Sequence, residues 1–328
     1  MKTDAQTPLA RHIEAFLAHK RALGKQLDKA GLMLHLLDRY LLEQGTTEPG
    51  QITPALLEGF MRSRPRSSSR SYNTLLGSLR GLFNWLVGQE VLTSSPLLIA
   101  PRRIVPGHRP FLFDADDAKR LLDAAGQLPG NPRAPGRGEI YRMIFAMLYG
   151  LGLRVGEVSR LCRKDVDIDN AVLLIRQTKF GKDRLVPFGP RMAEEISSFI
   201  GRRESHVGSI PPDCPLFSFA KDKQKRIRTT TISWTFHKLL PELKLVIPAG
   251  VAPPHLHCLR HSFAVGTLLR WYRAGINPAS RLLDLSTFLG HVSPSSTAVY
   301  LTITTELFEC ASRRFAQFSA STLKEIVR

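Results

Sequence analysis

Acidic side chains are scarce in this chain relative to basic ones. The 328 residues include 28 Asp and Glu against 46 Lys and Arg, which gives a formal net charge of +18. Residues 1–105 alone carry 14 basic and 8 acidic side chains, so the excess extends over both parts of the chain. Such a charge balance favours a polyanionic partner, either nucleic acid or an anionic membrane surface.

Long apolar runs and paired cysteines are also missing. No apolar run approaches the roughly 18–20 residues that a membrane-spanning helix needs, and the first four residues lack the apolar core of a signal peptide. The four cysteines, Cys162, Cys214, Cys258 and Cys310, are scattered and form no Cys-x-x-Cys pair. This argues against a disulfide framework and favours free thiols in a reducing compartment. We therefore expect a cytoplasmic protein.

Apolar side chains at helical spacing dominate the first hundred residues. They recur along residues 8–44 and again from about 69 to 87, and Thr53-Pro54 has the N-cap and first-position residues of a further helix. The spacing predicts a small all-helical bundle over residues 1–100. A basic strip lies between its last two helices, and a linker at 101–112 follows the bundle. Because Arg and small hydroxyl side chains donate hydrogen bonds to phosphates, we predict DNA contacts there, although a solvated basic loop has the same composition. The predicted contacts are Arg62, Arg64, Arg66 and Arg70 in the strip and Arg102 and Arg103 in the linker.

The remaining residues, 113–328, alternate helical and strand-like patterns. Asp114 is a candidate N-cap for a helix at 115–125, and an almost wholly apolar helix is predicted at 140–151. Strand-like segments at 171–177 and 184–188 flank a turn that contains Lys179 and Lys182, and helices are expected at 191–203 and 230–240. Lys182, Arg226 and Arg228 are further candidate DNA contacts. The predicted fold is mainly α with a small antiparallel β-sheet (α+β).

Two polar clusters near the C-terminal end suggest chemistry on a phosphate. His257 and Arg260 are three residues apart and share one helix face, while His291 precedes the lone Tyr300. Cation, imidazole and phenol together suit phosphoryl transfer. A zinc site at His255, His257, Cys258 and His261 is the alternative by residue type, and Arg260 within that segment speaks against it. No metal and no other cofactor is expected.

The ordered motifs resemble those of the tyrosine recombinases, the phage integrase family. They are Gly152-Leu153-Arg154-Val155-x-Glu157-Val158, Lys179-x-x-Lys182-x-Arg184-Leu185-Val186-Pro187, His257-x-Leu259-Arg260-His261-Ser262-Phe263-Ala264, Leu289-Gly290-His291 and Tyr300. The resemblance covers roughly residues 110–315. It implies a core-binding (SAM-like) DNA-binding domain at 1–100, a catalytic domain with a C-terminal tail helix at 113–328, and a C-shaped clamp around DNA.

The resemblance also implies a role for each catalytic residue. Arg154 and Arg260 would hold the scissile phosphate, and Tyr300 would attack it to form a 3′-phosphotyrosyl link. His257 would accept the tyrosine proton, Lys179 would protonate the leaving 5′-oxygen, with Lys182 as the neighbouring alternative, and His291 would support the transition state.

The implied function is site-specific recombination of double-stranded DNA for the integration, excision or transposition of a mobile element. The resemblance implies a dimer at each site and a tetrameric synapse, with the tail, helical in pattern at 306–318, exchanged between subunits or else folded back on its own domain. A catalytically silent DNA-binding accessory protein and a type IB topoisomerase-like enzyme are the alternatives. The segment from Arg260 to His291 is longer than in common relatives, so we expect an extra loop or helix turn there, as in recombinases of transposable elements and plasmids.

Overall fold

The chain divides into two compact units, Met1–Pro106 and Gly107–Arg328. The structure, a computed structural model, describes residues 8–25, 27–104, 108–176, 183–219, 225–291 and 293–302, together with Glu309 and Ser312. No helix within these ranges is long and apolar enough to cross a membrane. The predicted roles of the segments 1–100, 101–112 and 113–328 stay predictions.

The first unit is a helical bundle, as the spacing of its apolar residues predicts. Its helices are α1 (Ala10–Ala22), α2 (Asp28–Glu43), α3 (Pro54–Ser63) and α4 (Ser69–Gly88). The predicted cap is confirmed, because the Thr53 hydroxyl accepts a hydrogen bond from the backbone N–H of Leu56 at 3.3 Å, with Pro54 at the first position. Leu and Phe side chains of all four helices form one buried core.

The linker begins against this bundle rather than free of it. The Asn73 amide donates to the carbonyl of Arg102 and accepts from its backbone N–H, both at 2.8 Å, and the Arg102 guanidinium lies 3.8 Å from the centroid of the Tyr72 ring. Residues 101–104 and 108–110 form neither helix nor strand, apart from an isolated bridge between Arg109 and Val251. The proline-rich composition predicts this extended form.

The second unit opens with three helices that build its core. They are α5 (Ala115–Gly126), α6 (Arg137–Gly150) and α7 (Val155–Arg160). Asp114 caps α5 as predicted, with its carboxylate accepting from the backbone N–H of Asp117 at 2.7 Å. The apolar residues of α6 are buried in the centre of the core, although the helix begins three residues earlier than predicted.

A small antiparallel sheet follows the helices. Its strands, β1 (Val166–Asp167), β2 (Val172–Ile175) and β3 (Arg184–Pro187), lie in that order, with Ile175 opposite Arg184. The predicted hairpin corresponds to β2 and β3, and its turn, with Lys179 and Lys182, lies outside the described residues. The two-residue β1 is too short for a pattern of alternating side chains, so the sequence does not predict it.

The rest of the second unit is helical. It contains α8 (Pro190–Val207), α9 (Thr229–Leu239), α10 (His257–Arg273), α11 (Leu282–Leu289) and α12 (Ser295–Ala298). The segment after Arg260 continues α10 to Arg273 and adds a 3₁₀ turn, Pro278–Arg281, before α11. Of the tail helix predicted at 306–318 only Glu309 and Ser312 are described, both helical, and the rest lies outside the described residues.

Candidate active site

Arg260 is the most deeply buried charged side chain of the site. It lies in the first turn of α10 with 1% of its surface exposed. Its Nη1 donates to the carbonyl of Gly152 at 2.7 Å, and its Nη2 donates to that of Leu289 at 2.6 Å. Desolvation, and then the charge of Arg154, lower the pKa of Arg260 to about 9, so it remains a cation at pH 7. Its buried Nε has no hydrogen-bond partner in the part of the chain that the structure describes, so this N–H is available to an anionic ligand.

Arg154 is anchored beside Arg260. It is the N-cap residue of α7, and its Nη2 donates to the carbonyl of Gly290 at 2.9 Å. Because Leu289 and Gly290 are consecutive, their carbonyls bring the two guanidinium groups to the same end of α11. The Arg154 side chain is 30% exposed, so it can contact a ligand from the solvent side. The buried Arg260 can contact the same ligand only from the protein interior.

Arg184 is a third arginine that the sequence analysis did not identify as part of the site. It lies on β3 and donates through Nη1 and Nη2 to the two carboxylate oxygens of Glu157, at 2.8 and 2.9 Å, and through Nε to the carbonyl of Phe288 at 2.9 Å. Glu157 also accepts from the Arg154 side chain at 2.8 Å. All Arg184 nitrogens face protein acceptors, so its role is to hold the site together.

The carboxylate of Glu157 fixes both arginines. Burial alone would raise its pKa, but the hydrogen bonds from Arg184 and Arg154 outweigh burial and hold the pKa at about 2. It is therefore ionised at any working pH. Glu157 also lies 2.8 Å from Nη1 of Arg154 and so orients that side chain.

Two glycines allow the carbonyls to approach the arginines. Gly152 has φ +60°, and a Cβ there would lie 2.5 Å from Cδ1 of Phe263. Gly290 has φ +65°, and a Cβ there would lie 2.9 Å from Nη1 of Arg184. Both positions need a left-handed backbone and offer no room for a side chain, which gives these motif glycines a physical reason.

Tyr300 lies in the same site. It is in a 3₁₀ turn, Val299–Thr302, with 3% of its surface exposed, and its hydroxyl is 2.9 Å from Nδ1 of His261. Burial raises the pKa of the phenol, while the charges of Arg260 and Arg154 oppose that rise. The phenol therefore holds its proton at pH 7, and its hydroxyl is hydrogen-bonded to the His261 imidazole.

The two predicted histidines flank this pair. The His257 ring is 4.6 Å from the His261 ring, and the His291 ring lies nearly parallel to Tyr300 with centroids 6.3 Å apart. Nδ1 of His291 is 2.7 Å from the hydroxyl of the buried Thr297. Desolvation, and then the charge of Arg260, lower the pKa of each of these two histidines to about 4, so both are neutral at pH 7.

The structure thus brings together Arg154, His257, Arg260, His291 and Tyr300 and adds Arg184 and His261. The catalytic roles of the five predicted residues stay predictions. Lys179 lies outside the described residues. His261 could have been suspected from the sequence, because it is four residues after His257 and shares its helix face. Among the described residues, no group of three or more His, Cys, Asp or Glu side chains is arranged to hold a metal ion.

The predicted DNA contacts outside the site differ in their surroundings. Arg62, Arg70, Arg103, Arg226 and Arg228 are exposed, and Arg62 lies 3.6 Å from Glu58. Arg64 and Arg66 are half-buried, with the Arg64 guanidinium 5.9 Å from the centroid of the Phe60 ring. Arg102 donates to the carbonyl of Arg66 at 3.2 Å. Their contact with DNA stays a prediction.

Anchored guanidinium groups, a buried phenol and neutral imidazoles are the groups that an enzyme needs to transfer a phosphoryl group to tyrosine. The model of the phage integrase family matches residues 112–306. An integrase/recombinase designated y4rB, from Sinorhizobium fredii, is 33% identical over 307 residues, which cover 92% of this chain and 95% of that protein. The chain belongs to the phage integrase family, the tyrosine recombinases, whose members are site-specific DNA strand transferases.

Solved structures share the fold. The Tn1549 transposon integrase in complex with transposon right end DNA superimposes with a TM-score of 0.64 at 17% identity, covering 94% of this chain and 99% of that one. A lambda integrase tetramer bound to a Holliday junction gives a TM-score of 0.59 at 16% identity, covering 90% and 80%. The predicted family, the mainly helical fold with a small antiparallel sheet, and recombination as the enzyme's activity are confirmed.

Proposed function

We propose that this enzyme cleaves and rejoins DNA through a covalent bond between Tyr300 and the 3′-phosphate. One observation supports this above all. The Tyr300 hydroxyl is hydrogen-bonded to the His261 imidazole and lies near the cations of Arg260 and Arg154. A phenol is a weak nucleophile at neutral pH, so it needs a base for its proton and positive charge around the phosphate. Both are present within the described residues.

The two clamp arginines act on the phosphate itself. Their carbonyl anchors fix the guanidinium groups before DNA arrives, so little reorganisation is needed as charge grows on the non-bridging oxygens. Nδ1 of His291 is engaged by Thr297, which leaves Nε2 as the nitrogen that can bond an oxygen of the transition state. The charge of the phosphate is therefore neutralised by side chains of this protein.

Two protons move during cleavage, and one lysine and a pair of imidazoles are the candidates that transfer them. Lys179 protonates the leaving 5′-oxygen, with Lys182, three residues later in the sequence, as the alternative. His257 and His261 are the imidazoles within reach of the tyrosine end of the site, and the family resemblance favours His257 as the acceptor. The phosphotyrosyl link conserves the energy of the phosphodiester, so rejoining consumes no nucleotide.

We also propose that the enzyme works as an oligomer on double-stranded DNA, with a dimer at each site and a tetrameric synapse whose subunits exchange their C-terminal tails. The motif-based resemblance and the fold shared with the lambda integrase tetramer support the assembly. Its role is the integration, excision or transposition of a mobile element, in the cytoplasm. A silent binding protein is disfavoured because the catalytic groups converge.

A nicked suicide substrate tests the catalytic proposal. DNA from the boundary of the genetic element that carries the gene is nicked near the cleavage point, so that the released fragment cannot be rejoined. The wild-type enzyme should accumulate a covalent adduct, and Tyr300→Phe should form none while binding the DNA with unchanged affinity. An adduct formed by Tyr300→Phe, or none with wild type despite intact binding, would contradict the proposal. Inverted repeats at that boundary would support transposition.

A further inference from the structure

The hydrogen bond of Tyr300 identifies one imidazole of the pair. Nδ1 of His261 is 2.9 Å from the Tyr300 oxygen, within the range for an O–H···N hydrogen bond. His257 lies one turn earlier on α10 and meets His261 edge to face at 4.6 Å. His257 is exposed and His261 is half-buried, so Tyr300 contacts the more buried ring of the pair.

The His261 ring is unprotonated in the DNA-free protein. Desolvation, and then the neighbouring His257, His255 and Arg260, lower its pKa to about 3 in the DNA-free protein. The ring is neutral, and with its proton on Nε2 the Nδ1 lone pair faces the phenol. The charged and titratable groups around it are His255, with ring centroids 6.4 Å apart, His257, Arg260 and Tyr300. A bound phosphate adds negative charge to this surrounding and favours the imidazolium.

We propose that His261, rather than His257, is the catalytic base that takes the Tyr300 proton. This rests on the proposed function, in which Tyr300 is the nucleophile. As the tyrosine oxygen bonds to phosphorus, its O–H bond breaks and the proton moves to Nδ1. The bond from phosphorus to the 5′-oxygen breaks at the same time, and that oxygen leaves with the electron pair and is protonated by Lys179. Rejoining reverses each transfer, so His261 returns its proton to Tyr300.

The geometry also gives His261 a holding role before DNA binds. Its hydrogen bond keeps the phenol in the buried 3₁₀ turn, directed at the acceptor that will deprotonate it. His257 lies on the exposed side of His261, where it can contact a DNA phosphate oxygen. The two histidines of the motif His-x-x-Arg-His therefore differ in function although they share a helix face.

His261→Asn tests the assignment most sharply. The Asn side-chain oxygen lies near the position of Nδ1 and can accept the tyrosine hydrogen bond, but it cannot take the proton. We expect cleavage of the nicked substrate to slow by about 10²-fold or more, the usual contribution of a general base. His206→Asn is the matched control, because His206 is exposed on α8 with Nδ1 on the carbonyl of Arg202, and it should cleave at the wild-type rate.

Two further measurements separate proton transfer from positioning. A substrate with sulfur in place of the leaving 5′-oxygen needs no protonation of its leaving group, so it should restore Lys179→Ala but leave His261→Asn slow. Over roughly pH 6–8 the wild-type rate should be flat, because His261 is already neutral, whereas the rate of His261→Asn should rise with pH as more phenol ionises. A merely structural role would leave the two pH profiles parallel.

The outcomes distinguish this inference from the proposed function. If His261→Asn cleaves within about threefold of wild type while His257→Asn is slow and gains the rising pH profile, His257 is the base and the inference is wrong. If Tyr300→Phe still forms the adduct, the proposed function itself fails. His261→Ala gives a second test, because free imidazole in the buffer should restore part of its cleavage if the missing group is a base. No restoration in a folded, DNA-binding His261→Ala would count against the inference.

Discussion

Arginines occur in two contrasting settings in this molecule. In the second unit Arg154, Arg184 and Arg260 donate to backbone carbonyls and to Glu157, and Arg260 is 1% exposed. In the basic strip of the first unit Arg62 has an 80% exposed side chain, and Arg70 is exposed as well. The side-chain type is the same, so burial and fixed acceptors are what make a cation part of a catalytic site rather than a solvated surface.

The two settings also differ in what each arginine contributes. A buried guanidinium with fixed acceptors is already desolvated and oriented, so it can stabilise charge that develops on the phosphate. An exposed one contributes through counterion release, which is uniform over the strip and weakened by salt. Substitutions in the site should therefore change catalysis and folding, and substitutions in the strip should change mainly the salt dependence of binding.

The largest effect is expected at Arg260. Lysine keeps the charge in Arg260→Lys but has no planar fork, so it cannot reach the carbonyls of Gly152 and Leu289 together. Adduct formation should fall by about 10²–10³-fold or more, as measured with the nicked substrate. Arg120→Lys is the control, because Arg120 pairs with Asp117 at the exposed surface of α5, and its rate should not change. An equal loss in both variants would remove the distinction between the two settings.

Next in size is the pH dependence that Glu157 contributes. Its pKa is lowered from 4.5 to about 2, so its stabilisation is complete above about pH 4.5 and is lost as the pH falls to about 2. The free energy of unfolding should drop by about 3 kcal/mol over that window, measured by urea denaturation. Glu157→Gln should be less stable at pH 7 and should lose this part of the slope.

Glu195 offers the matched comparison for this pH effect. It pairs with Arg142 at 2.8 Å, but both side chains are 35% exposed, and the hydrogen bond from Arg142 is the main cause of its lowered pKa. Solvent screening should limit its contribution to below about 1 kcal/mol. If Glu195→Gln reduced the loss of unfolding free energy at acid pH as much as Glu157→Gln does, burial would not make Glu157 more important for stability than Glu195.

A smaller effect is expected at Gly152. Gly152→Ala requires a left-handed alanine and places a Cβ 2.5 Å from Phe263, whereas Gly275, with φ +72°, has nothing within 4 Å of an added Cβ. Both variants lose about 1 kcal/mol from the backbone, and Gly152→Ala should lose about 1–3 kcal/mol more from overpacking. The difference between the two variants in thermal or urea unfolding isolates the cost of overpacking at Gly152. Equal losses would mean that Phe263 moves away from the added Cβ without a cost in stability.

The smallest effect on folding is expected in the basic strip. Arg70→Ala should change the free energy of unfolding by less than about 0.5 kcal/mol, because the side chain is exposed. If Arg70 contacts a phosphate, the slope of log affinity against log salt should fall by about 1. An unchanged slope would mean that Arg70 is a solvated side chain of α4 with no phosphate contact.

The polar residues at motif spacing were predictable from the sequence because their chemistry is in their side chains. Arg154, Arg260, His291 and Tyr300 are separated by up to 146 positions, yet the order of the motifs was enough to place them in one site. The starts of helices with a side-chain cap were predictable for a similar reason, since the hydroxyl or carboxylate of a cap such as Asp114 acts on the adjacent backbone.

The supports of the site were not predictable from the sequence. The acceptors of the arginines are backbone carbonyls at Gly152, Phe288, Leu289 and Gly290, and every residue type has such a carbonyl. Arg184 was overlooked because its partner Glu157 lies 27 residues away and only the fold brings them together. His257 and His261 lie one turn apart along α10, and composition does not encode which of them contacts Tyr300.

The covalent adduct itself tests the central claim most directly. The wild-type enzyme is trapped on the nicked DNA of its own element boundary, digested with a protease, and the DNA-linked peptide is sequenced by mass spectrometry. Tyr300 should carry the nucleotide, and Arg260→Lys should greatly reduce the yield of that peptide. Linkage to any other residue, or an undiminished yield with Arg260→Lys, would contradict a site in which anchored arginines activate the phosphate for this tyrosine.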